Sequence, residues 1–217
     1  MLRTHYLGPA GATAFAHRRI GILGGSFNPA HEGHRHISLL ALKLLDLDEL
    51  WWLVSPQNPL KPTEGMASFA ERFAGARKMA KHQRIRVSDI EQRMGSRYTA
   101  ETLAALTRRF PTTCFVWIMG ADNLRQIASW KDWTRIFRTV PIAVLDRAPY
   151  SWGALRSAAA LRFRRRRVRP SAALRLAELT PPAWLFLHTA LHPASSTAIR
   201  ARRPVVSGPV ASGKGHG

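Results

Sequence analysis

The chain has 217 residues, of which 46% are hydrophobic, so it can bury a substantial core in one domain and is not disordered overall. Lysine and arginine number 33 against 13 acidic residues, and the formal net charge of +20 favours anionic partners. The apolar runs are strand-sized, which excludes a bilayer-spanning segment, and the single cysteine, Cys114, excludes a disulfide framework. We therefore expect a cytoplasmic protein that does not associate with membranes.

Apolar runs and amphipathic stretches alternate along the chain. Strands are predicted at Ile20–Leu23, Leu50–Val54, Ile85–Val87, Cys114–Met119, Pro141–Leu145 and Trp184–Leu187. Helices are predicted at His36–Leu47, Ala67–Lys81 and Thr99–Arg109, with another opening at Ser196. This alternation predicts an α/β fold with a Rossmann-like doubly wound parallel sheet. Ligands of such sheets lie beyond the carboxyl ends of the strands.

Composition also suggests the boundaries of the domain. The predicted parts are an N-terminal extension (1–18), a domain (19–203) with a basic variable segment (151–170), and a flexible Gly/Ser-rich tail (204–217). The extension lacks the apolar centre of a secretory signal, although a transit peptide stays open.

The basic variable segment carries six arginines between Arg162 and Arg169. Its only interleaved aromatic residue is Phe163, and it contains no known nucleic-acid-binding motif. We interpret it as a solvated connector and do not expect a nucleic acid as partner.

The segment Gly24–His34 links the first predicted strand to the first helix and reads Gly-Gly-Ser-Phe-Asn-Pro-Ala-His-Glu-Gly-His. Unpaired N–H groups and the dipole at a helix N-terminus favour anions. Gly24 and Gly25 let the backbone approach a ligand, and His31 and His34 can project together as imidazole donors. The segment therefore predicts a phosphate-binding turn.

Three other interpretations of this segment stay open. A metalloprotease His-Glu-x-x-His site is disfavoured because Arg35 occupies the position of the second histidine. A metal site of His31, His34 and His36 lacks a nearby cysteine or carboxylate cluster to complete it. In the third interpretation the glycines and Pro29 form only a tight turn, and the histidines are incidental.

A second polar cluster lies far downstream, in His192–Arg200. Ser195, Ser196 and Thr197 stand at a predicted helix start, and Arg200 follows three residues after Thr197. Hydroxyl and guanidinium groups bind phosphate well, although Ser-Ser-Thr also serves as a simple helix cap. Together with the first segment, it predicts one polyanion site formed by distant parts of the chain.

The two segments, His31-x-Gly-His34 and Ser195-Ser196-Thr197-x-Ile-Arg200, resemble the signatures of the nucleotidyltransferase superfamily. Three further elements are similar to the bacterial nicotinate-mononucleotide adenylyltransferase family. They are Trp52–Lys61, Ser96–Leu103 with its Tyr-Thr-x-x-Thr-Leu sequence, and Gly120–Asn123 followed by Trp130–Trp133. The five ordered matches cover most of residues 20–200, and their combination is specific although each is weak alone.

The resemblance implies a role for each matched residue. The implied catalytic residues, which contact ATP phosphates, are His31, His34 and Arg200. The implied ATP and phosphate site consists of Gly24, Gly25, Ser26, Phe27, Gly120, Asp122, Ser195, Ser196 and Thr197. The implied nicotinate-nucleotide site consists of Asn58, Lys61, Tyr98, Thr99, Trp130 and Arg147. No protein ligand to a metal is expected.

Simpler roles stay open for several of these residues. Tyr98 and Trp130 could be core residues, since large aromatic side chains bury readily whatever their role. Asp122 could cap a helix, and Lys61 and Arg147 could be solvated charges.

The resemblance implies transfer of AMP from ATP to nicotinate mononucleotide, giving nicotinate adenine dinucleotide and pyrophosphate in NAD biosynthesis. Mg²⁺ carried with ATP is the implied cofactor. Because the acceptor phosphate can attack the α-phosphorus in line, the reaction needs positioned anions and charge stabilisation rather than an enzyme nucleophile. Two alternatives stay open: a different acceptor, nicotinamide mononucleotide or phosphopantetheine, and a basic RNA-binding module. A homo-oligomer is compatible with the sequence.

Overall fold

The computed structural model describes residues 15–56, 65–146 and 151–189 of the chain. Within these residues, six parallel strands form one sheet in the order β3-β2-β1-β4-β5-β6. The strands are β1 (Arg19–Gly25), β2 (Glu49–Val54), β3 (Ile85–Ser88), β4 (Cys114–Gly120), β5 (Ile142–Asp146) and β6 (Trp184–His188). Each overlaps one predicted strand, and the predicted doubly wound parallel sheet is confirmed.

Helices cover both faces of this sheet. The α-helices are α1 (Glu32–Leu44), α2 (Phe69–Ala80), α3 (Ile90–Arg93), α4 (Thr99–Arg109), α5 (Ala121–Gln126), α6 (Trp133–Thr139), α7 (Ser151–Leu155) and α8 (Ala158–Arg162). Three segments of 3-10 helix are Ile127–Ser129, Arg164–Arg166 and Pro170–Glu178. The helix predicted at Thr99–Arg109 agrees at both ends, and the one predicted at Ala67–Lys81 corresponds to α2.

Each face of the sheet has its own apolar core, because successive strand residues point to opposite faces. On β4, Phe115 and Trp117 belong to the first core, whereas Val116 and Ile118 belong to the second. The first core lies beneath α4 to α8, and the second lies beneath α1, α2 and Pro170–Glu178. Strands buried on both faces read as continuous apolar runs, which is why the sequence pattern located them.

The strand order reverses between β1 and β4. From β1 the sheet extends to β2 and β3 on one side and to β4, β5 and β6 on the other. The paired residues of β1 and β4 run from Arg19 and Cys114 to Leu23 and Ile118, two residues before each strand ends. In open α/β sheets a ligand crevice forms at such a reversal, beyond the carboxyl ends of the strands. The predicted glycines of β1 and β4 lie on the two sides of this crevice.

Helix α1 begins four residues earlier than predicted, at Glu32 rather than His36. His31 is its N-cap, and the ring Nδ1 of His31 accepts a hydrogen bond from the backbone N–H of Gly33 at 3.1 Å. Ser, Thr, Asp and Asn are the usual residues at this position. A histidine cap is therefore hard to recognise from sequence.

The same helix ends at Leu44, whereas the prediction extended it to Leu47. Asp46 adopts a left-handed backbone conformation with a φ of 48°, which interrupts the helix. Its carboxylate pairs with Arg19 at 2.6 Å. Leu47 is nevertheless only 1% exposed, so the apolar pattern continues beyond the end of the helix.

Five short helices were not predicted: α3, α5, α6, α7 and α8. The longest of them, α6, has seven residues, too few to show a helical period. Their apolar residues, among them Leu124, Ile136 and Ala159, are buried in the first core. Tertiary packing rather than local propensity stabilises helices of this length.

The basic variable segment is only partly the solvated connector that its composition predicts. Arg164, Arg165 and Arg166 are exposed, as expected. Phe163, however, is buried and stacks on Phe137 with a centroid distance of 4.3 Å. The indole Nε1 of Trp184, the first residue of β6, donates to the Phe163 carbonyl at 2.9 Å. The segment is therefore fixed to the start of β6.

Candidate active site

The turn after β1 is built around the ring of Phe27. Phe27 is 1% exposed and has a φ of 48°, a left-handed conformation that costs an ordinary residue about 1–2 kcal/mol. Its ring stacks on Trp52 of β2 at 5.0 Å and contacts the ring of His34 at 4.8 Å. This aromatic packing offsets the backbone strain and fixes the turn against the sheet.

His31 and His34 lie together at the N-terminus of α1, as their spacing predicts. Their ring centroids are 3.9 Å apart. Nδ1 of His31 accepts from the backbone N–H of Gly33, and Nδ1 of His34 accepts from the backbone N–H of His31 at 3.2 Å. The two imidazoles thus form a reciprocal capping box at the start of the helix.

These hydrogen bonds set the tautomer of both rings. A ring nitrogen that accepts from a backbone N–H carries no proton, so the neutral imidazole has its hydrogen on Nε2. Both histidines therefore present an Nε2–H donor at a helix N-terminus, where the dipole also favours anions. A metal-ligating imidazole donates from its second nitrogen, whereas Nδ1 accepts here. The geometry favours phosphate over the metal site considered for His31, His34 and His36.

A buried hydrogen-bonded chain holds α1 against β2. The indole Nε1 of Trp52 donates to the Ser38 hydroxyl at 2.8 Å, and that hydroxyl donates to the His34 carbonyl at 2.7 Å. Ser38 and Trp52 are both fully buried. The backbone of His34 is thereby linked to the centre of the sheet.

The two glycines at the end of β1 have different reasons to be glycine. A Cβ on Gly24 would lie 2.4 Å from Cη2 of Trp117, so packing within the first core already requires glycine there. This differs from the prediction that ligand approach explains both glycines. A Cβ on Gly25 would meet the ring of Phe27 at 3.5 Å, an ordinary contact distance. Ligand approach stays the predicted reason for Gly25 alone.

A buried arginine that the sequence analysis missed ties the turn to α2. Arg72 is 3% exposed, and burial lowers the pKa of its guanidinium. All its hydrogen bonds run to backbone carbonyls: Nε to Ala67 at 3.0 Å, Nη1 to Ser26 at 2.7 Å and Ser55 at 2.8 Å, and Nη2 to Pro56 at 2.7 Å. One side chain thus joins the ends of β1 and β2 to the start of α2.

Asn28 makes a second tie between the turn and the chain before α2. Its Nδ2 donates to the Gly65 carbonyl, and its Oδ1 accepts from the backbone N–H of Ala67, both at 3.2 Å.

A sequence signal existed for Arg72, because it lies four residues before Ala76 on the buried face of α2. A single arginine in line with small apolar residues on one helix face indicates a buried, hydrogen-bonded guanidinium.

Two predicted acceptor-binding elements, Tyr98–Thr99 and Trp130, lie close together. Tyr98 is the N-cap of α4, and Thr99 is the first residue of that helix. Nζ of Lys131 lies 4.2 Å from the centroid of the Tyr98 ring and pairs with Glu101 at 3.2 Å. Trp130 is half-buried against the first core. The start of α4 and the tryptophan segment therefore form one surface.

A buried carboxyl group supports the first turns of α4. Glu91 is 7% exposed, and its Oε1 accepts from the Thr102 hydroxyl at 3.1 Å. The Ser96 and Thr102 hydroxyls are 2.8 Å apart. Burial raises the pKa of Glu91 to about 7, and the hydrogen bond from Thr102 opposes part of that rise. Glu91 is not part of any motif in the sequence.

On the other side of the crevice, Gly120 ends β4 and is the N-cap of α5. Asp122 is the second residue of α5, whereas the N-cap is Gly120, so Asp122 is not the N-cap of this helix. Its carboxylate lies at the positive end of the helix dipole.

Seven predicted site residues lie outside the described residues: Asn58, Lys61, Arg147, Ser195, Ser196, Thr197 and Arg200. Their placement, and with it the shared polyanion site of the two segments, stays a prediction.

Within the described part of the chain, no three or more His, Cys, Asp or Glu side chains are grouped so as to hold a metal ion. Over the same ranges, no helix has the length and apolar character needed to cross a bilayer.

Comparison with known proteins agrees with this architecture. The cytidylyltransferase-like family profile matches residues 22–202. A relative from Parvibaculum lavamentivorans, named a probable nicotinate-nucleotide adenylyltransferase, is 54% identical over 184 residues, which cover 85% of this chain and 92% of the relative. A relative of the same name from a Bradyrhizobium species is 52% identical over 182 residues, which cover 84% and 95%.

A solved structure titled Plasmodium falciparum nicotinic acid mononucleotide adenylyltransferase complexed with NaAD matches with a TM-score of 0.63. It is 17% identical, and the match covers 85% of this chain and 83% of that one, so it supports the fold. The fold and the family match define the chain as a nucleotidyltransferase of the cytidylyltransferase-like family. Within that family it belongs to the nicotinate-nucleotide adenylyltransferases.

Proposed function

We propose that the protein transfers AMP from ATP to nicotinate mononucleotide, forming nicotinate adenine dinucleotide and pyrophosphate in NAD biosynthesis. Its family membership supports this reaction. The main structural support for the site is the His31–His34 pair. Backbone hydrogen bonds orient its two Nε2–H donors at the point where the strand order of the sheet reverses.

In the proposed reaction, a phosphate oxygen of the mononucleotide forms a bond to the α-phosphorus of ATP. The bond from that phosphorus to the pyrophosphate oxygen breaks, and pyrophosphate leaves with the bonding electrons. The attacking oxygen is already ionised, so no enzyme base has to remove a proton. Catalysis then consists of positioning two anions and stabilising charge on the transferring and leaving groups.

On the donor side, His31 and His34 donate hydrogen bonds from Nε2 to phosphate oxygens of ATP. Both rings are already held in place, the first by the Gly33 amide and the second by the His31 amide, so little reorganisation is needed during the reaction. Gly25 and Ser26 line the same turn. We assign Arg200 and the Ser195–Thr197 hydroxyls to the triphosphate by their resemblance to the family signature.

On the acceptor side, the first turn of α4 receives the carboxylate of the nicotinate ring. The N–H groups of Thr99 and its neighbours lie at the positive end of an 11-residue helix, which favours a carboxylate over a neutral amide. Tyr98 and Trp130 flank that turn and supply aromatic surface for the pyridine ring. The buried Glu91 and Thr102 pair holds this turn in position.

Mg²⁺ enters as part of the ATP complex. Oxygen ligands from phosphates suit Mg²⁺, which commonly uses substrate phosphates rather than a cage made by the protein. Asp122, in the first turn of α5, is assigned to the ribose of ATP by its resemblance to the family motif and not to the ion. When bound, the ion supplies neutralisation of charge on the triphosphate oxygens.

A panel of acceptors tests the proposal. The purified full chain is incubated with Mg²⁺–ATP and, in parallel, with nicotinate mononucleotide, nicotinamide mononucleotide or phosphopantetheine, and pyrophosphate release is measured. We expect the highest kcat/KM with the acid nucleotide. Faster release with either other acceptor would reassign the substrate while retaining the reaction class.

The second function considered, a basic RNA-binding module, is tested in the same preparation. Salt-sensitive retention of RNA without pyrophosphate release in the presence of any of the three acceptors would favour it.

A cytoplasmic location suits a protein that uses ATP. This location and self-association stay predictions.

A further inference from the structure

A cavity lined by arginines lies at the edge of the sheet opposite the candidate active site. Its volume is about 400 Å³, within the range of small-molecule sites. Five arginine residues from two segments of the chain line it: Arg138, Arg162, Arg164, Arg165 and Arg166. We call this feature the arginine cavity.

The arginine cavity is at the amino edge of the sheet. Arg138 is in α6, which leads into the start of β5, and Pro182, another lining residue, precedes the start of β6. The predicted phosphate site is at the carboxyl edge. Strand β5 has five residues, which at about 3.3 Å each separates the two edges by on the order of 15 Å. The cavity is therefore separate from the candidate active site.

The charge of the cavity is not neutralised within the described residues. All five arginines are exposed, and in residues 15–56, 65–146 and 151–189 none of them pairs with an acidic side chain. The remainder of the chain contains a single acidic residue, Glu64, which follows β2 in the sequence. Five like charges around one cavity repel each other, and a bound anion of high charge would relieve that repulsion.

The lining suits the phosphate groups of a ligand and offers no stacking face to a base. The aromatic residue of the lining, Phe163, is 7% exposed because its ring stacks on Phe137, so it offers no free face to a base. Proteins that bind single strands of nucleic acid combine a basic groove with such faces. An acidic peptide carries at most one charge per about 3.3 Å of chain and would extend beyond the cavity. Guanidinium groups bind phosphate through paired hydrogen bonds.

We propose that the arginine cavity is a second anion site of this protein, specific for a compact chain of phosphate groups, and that it is independent of the catalytic site. The phosphate chain can come from a free inorganic oligophosphate or from the triphosphate of a nucleotide. This proposal does not depend on the proposed function.

The test compares three full-length proteins that differ in where positive charge is removed. The cavity variant is Arg164→Gln/Arg165→Gln/Arg166→Gln, in which the lost side chains are exposed and the protein keeps its core. The matched control is Arg77→Gln/Arg108→Gln/Arg175→Gln, which removes three exposed arginines away from the cavity. The third protein is the wild type. Unfolding temperatures confirm that all three are folded.

Tripolyphosphate is titrated into each protein by calorimetry, and the indole N–H signal of Trp184 is followed by NMR. This signal reports on the cavity because Trp184 donates to the carbonyl of Phe163. We expect the cavity variant to lose one binding event, or to bind at least about tenfold more weakly, while the control resembles the wild type. The Trp184 signal should shift in the wild type and the control but not in the cavity variant.

Competition experiments with a nucleoside triphosphate and with RNA identify the kind of ligand that the cavity binds. A nucleoside triphosphate that competes equally with tripolyphosphate shows that the phosphate chain is sufficient, whereas stronger inorganic competition assigns the free oligophosphate. Equal affinity in all three proteins would overturn the proposal, as would RNA that binds the cavity and is not displaced by tripolyphosphate. Pyrophosphate release by the cavity variant should equal that of the wild type, which separates this result from the fate of the proposed reaction.

Discussion

The two edges of the sheet present cationic or donor groups to anions in different ways. At the carboxyl edge, the rings of His31 and His34 are neutral and are fixed by backbone N–H groups that donate to Nδ1. At the amino edge, Arg164 to Arg166 are exposed and have no ion-pair partner within the described part of the chain. Chemistry on phosphate needs a few donors held in one geometry, whereas retention of a polyanion needs concentrated charge.

The greatest loss of activity should follow a substitution at the carboxyl edge. His34→Ala removes one oriented Nε2–H donor and should lower kcat about 10²–10³-fold, by analogy with the loss of one oxyanion-hole donor. His36→Ala, in the same helix, is the matched control and should retain most activity. Steady-state pyrophosphate release measures both.

Turnover of His34→Ala and of the cavity variant tests whether the two edges have different roles. A cavity variant that loses as much turnover as His34→Ala would show that the arginines, and not only the oriented imidazoles, act in the reaction. Near-normal turnover of a folded His34→Ala protein would remove His34 from the site.

Glu91, which supports α4 at the carboxyl edge, should make the free energy of unfolding depend on pH near neutrality. Burial raises the pKa of Glu91 from 4.5 to about 7, so between these values the folded protein holds a proton that the unfolded chain has lost. Stability contributed by this group therefore falls as pH rises from 4.5 through about 7. Glu91→Gln cannot ionise and should remove that fall, about 3 kcal/mol in total at about 1.4 kcal/mol per pH unit.

Urea unfolding of the wild type and Glu91→Gln at a series of pH values measures the difference. Arginine stays charged over this range, so the cavity variant should keep the pH dependence of the wild type and serves as the control. Parallel stability curves for Glu91→Gln and the wild type would show that Glu91 is ionised in the folded protein at lower pH.

Arg72 lies at the carboxyl edge but, unlike the arginines of the cavity, it is buried. Arg72→Lys keeps the charge but cannot reach four carbonyls, so the turn at Ser26 loosens. We expect kcat/KM to fall about tenfold to a hundredfold, since small misplacements of positioned groups are costly. Arg77→Lys, on the exposed side of the same helix, should have no such effect in the same assay.

Alanine substitutions of Gly24 and Gly25 distinguish packing from ligand approach at the end of β1, and their effects should be smaller than those above. Gly24→Ala should destabilise the fold by about 1–3 kcal/mol, because its Cβ would overlap the indole of Trp117. Gly25→Ala should leave the unfolding free energy nearly unchanged but weaken ATP binding. Equal stability of the two variants, measured by denaturant unfolding, would contradict the assignment.

The sequence located most of the fold because the central strands are buried on both faces. Runs such as Leu50–Val54 and Cys114–Met119 are apolar throughout, which is typical of a central parallel strand. The short helices α5 to α8 left no comparable signal, because residues far away in the chain stabilise them. Asp46 shows the same limit at the end of α1, where an ion pair with Arg19 accompanies the break in the helix.

The candidate site was predictable where its residues form a local motif. His31 and His34 stand three residues apart in the sequence, and their rings lie together in the structure. Glu91 acts through a side-chain contact with another helix, so no local pattern marked it. The spacing of Arg72 and Ala76 indicates a buried arginine but not which carbonyls it binds. Likewise, only the structure shows that Trp117, on β4, requires glycine at Gly24.

The order of the strands has a consequence for synthesis of the chain. Ile20 of β1 pairs with Phe115 of β4, which is 95 residues further along. A nascent or prematurely terminated chain that ends before Cys114 contains the complete histidine turn but leaves one side of β1 without its neighbour. Unpaired apolar strand edges promote aggregation, so shortened products should be insoluble rather than partly active.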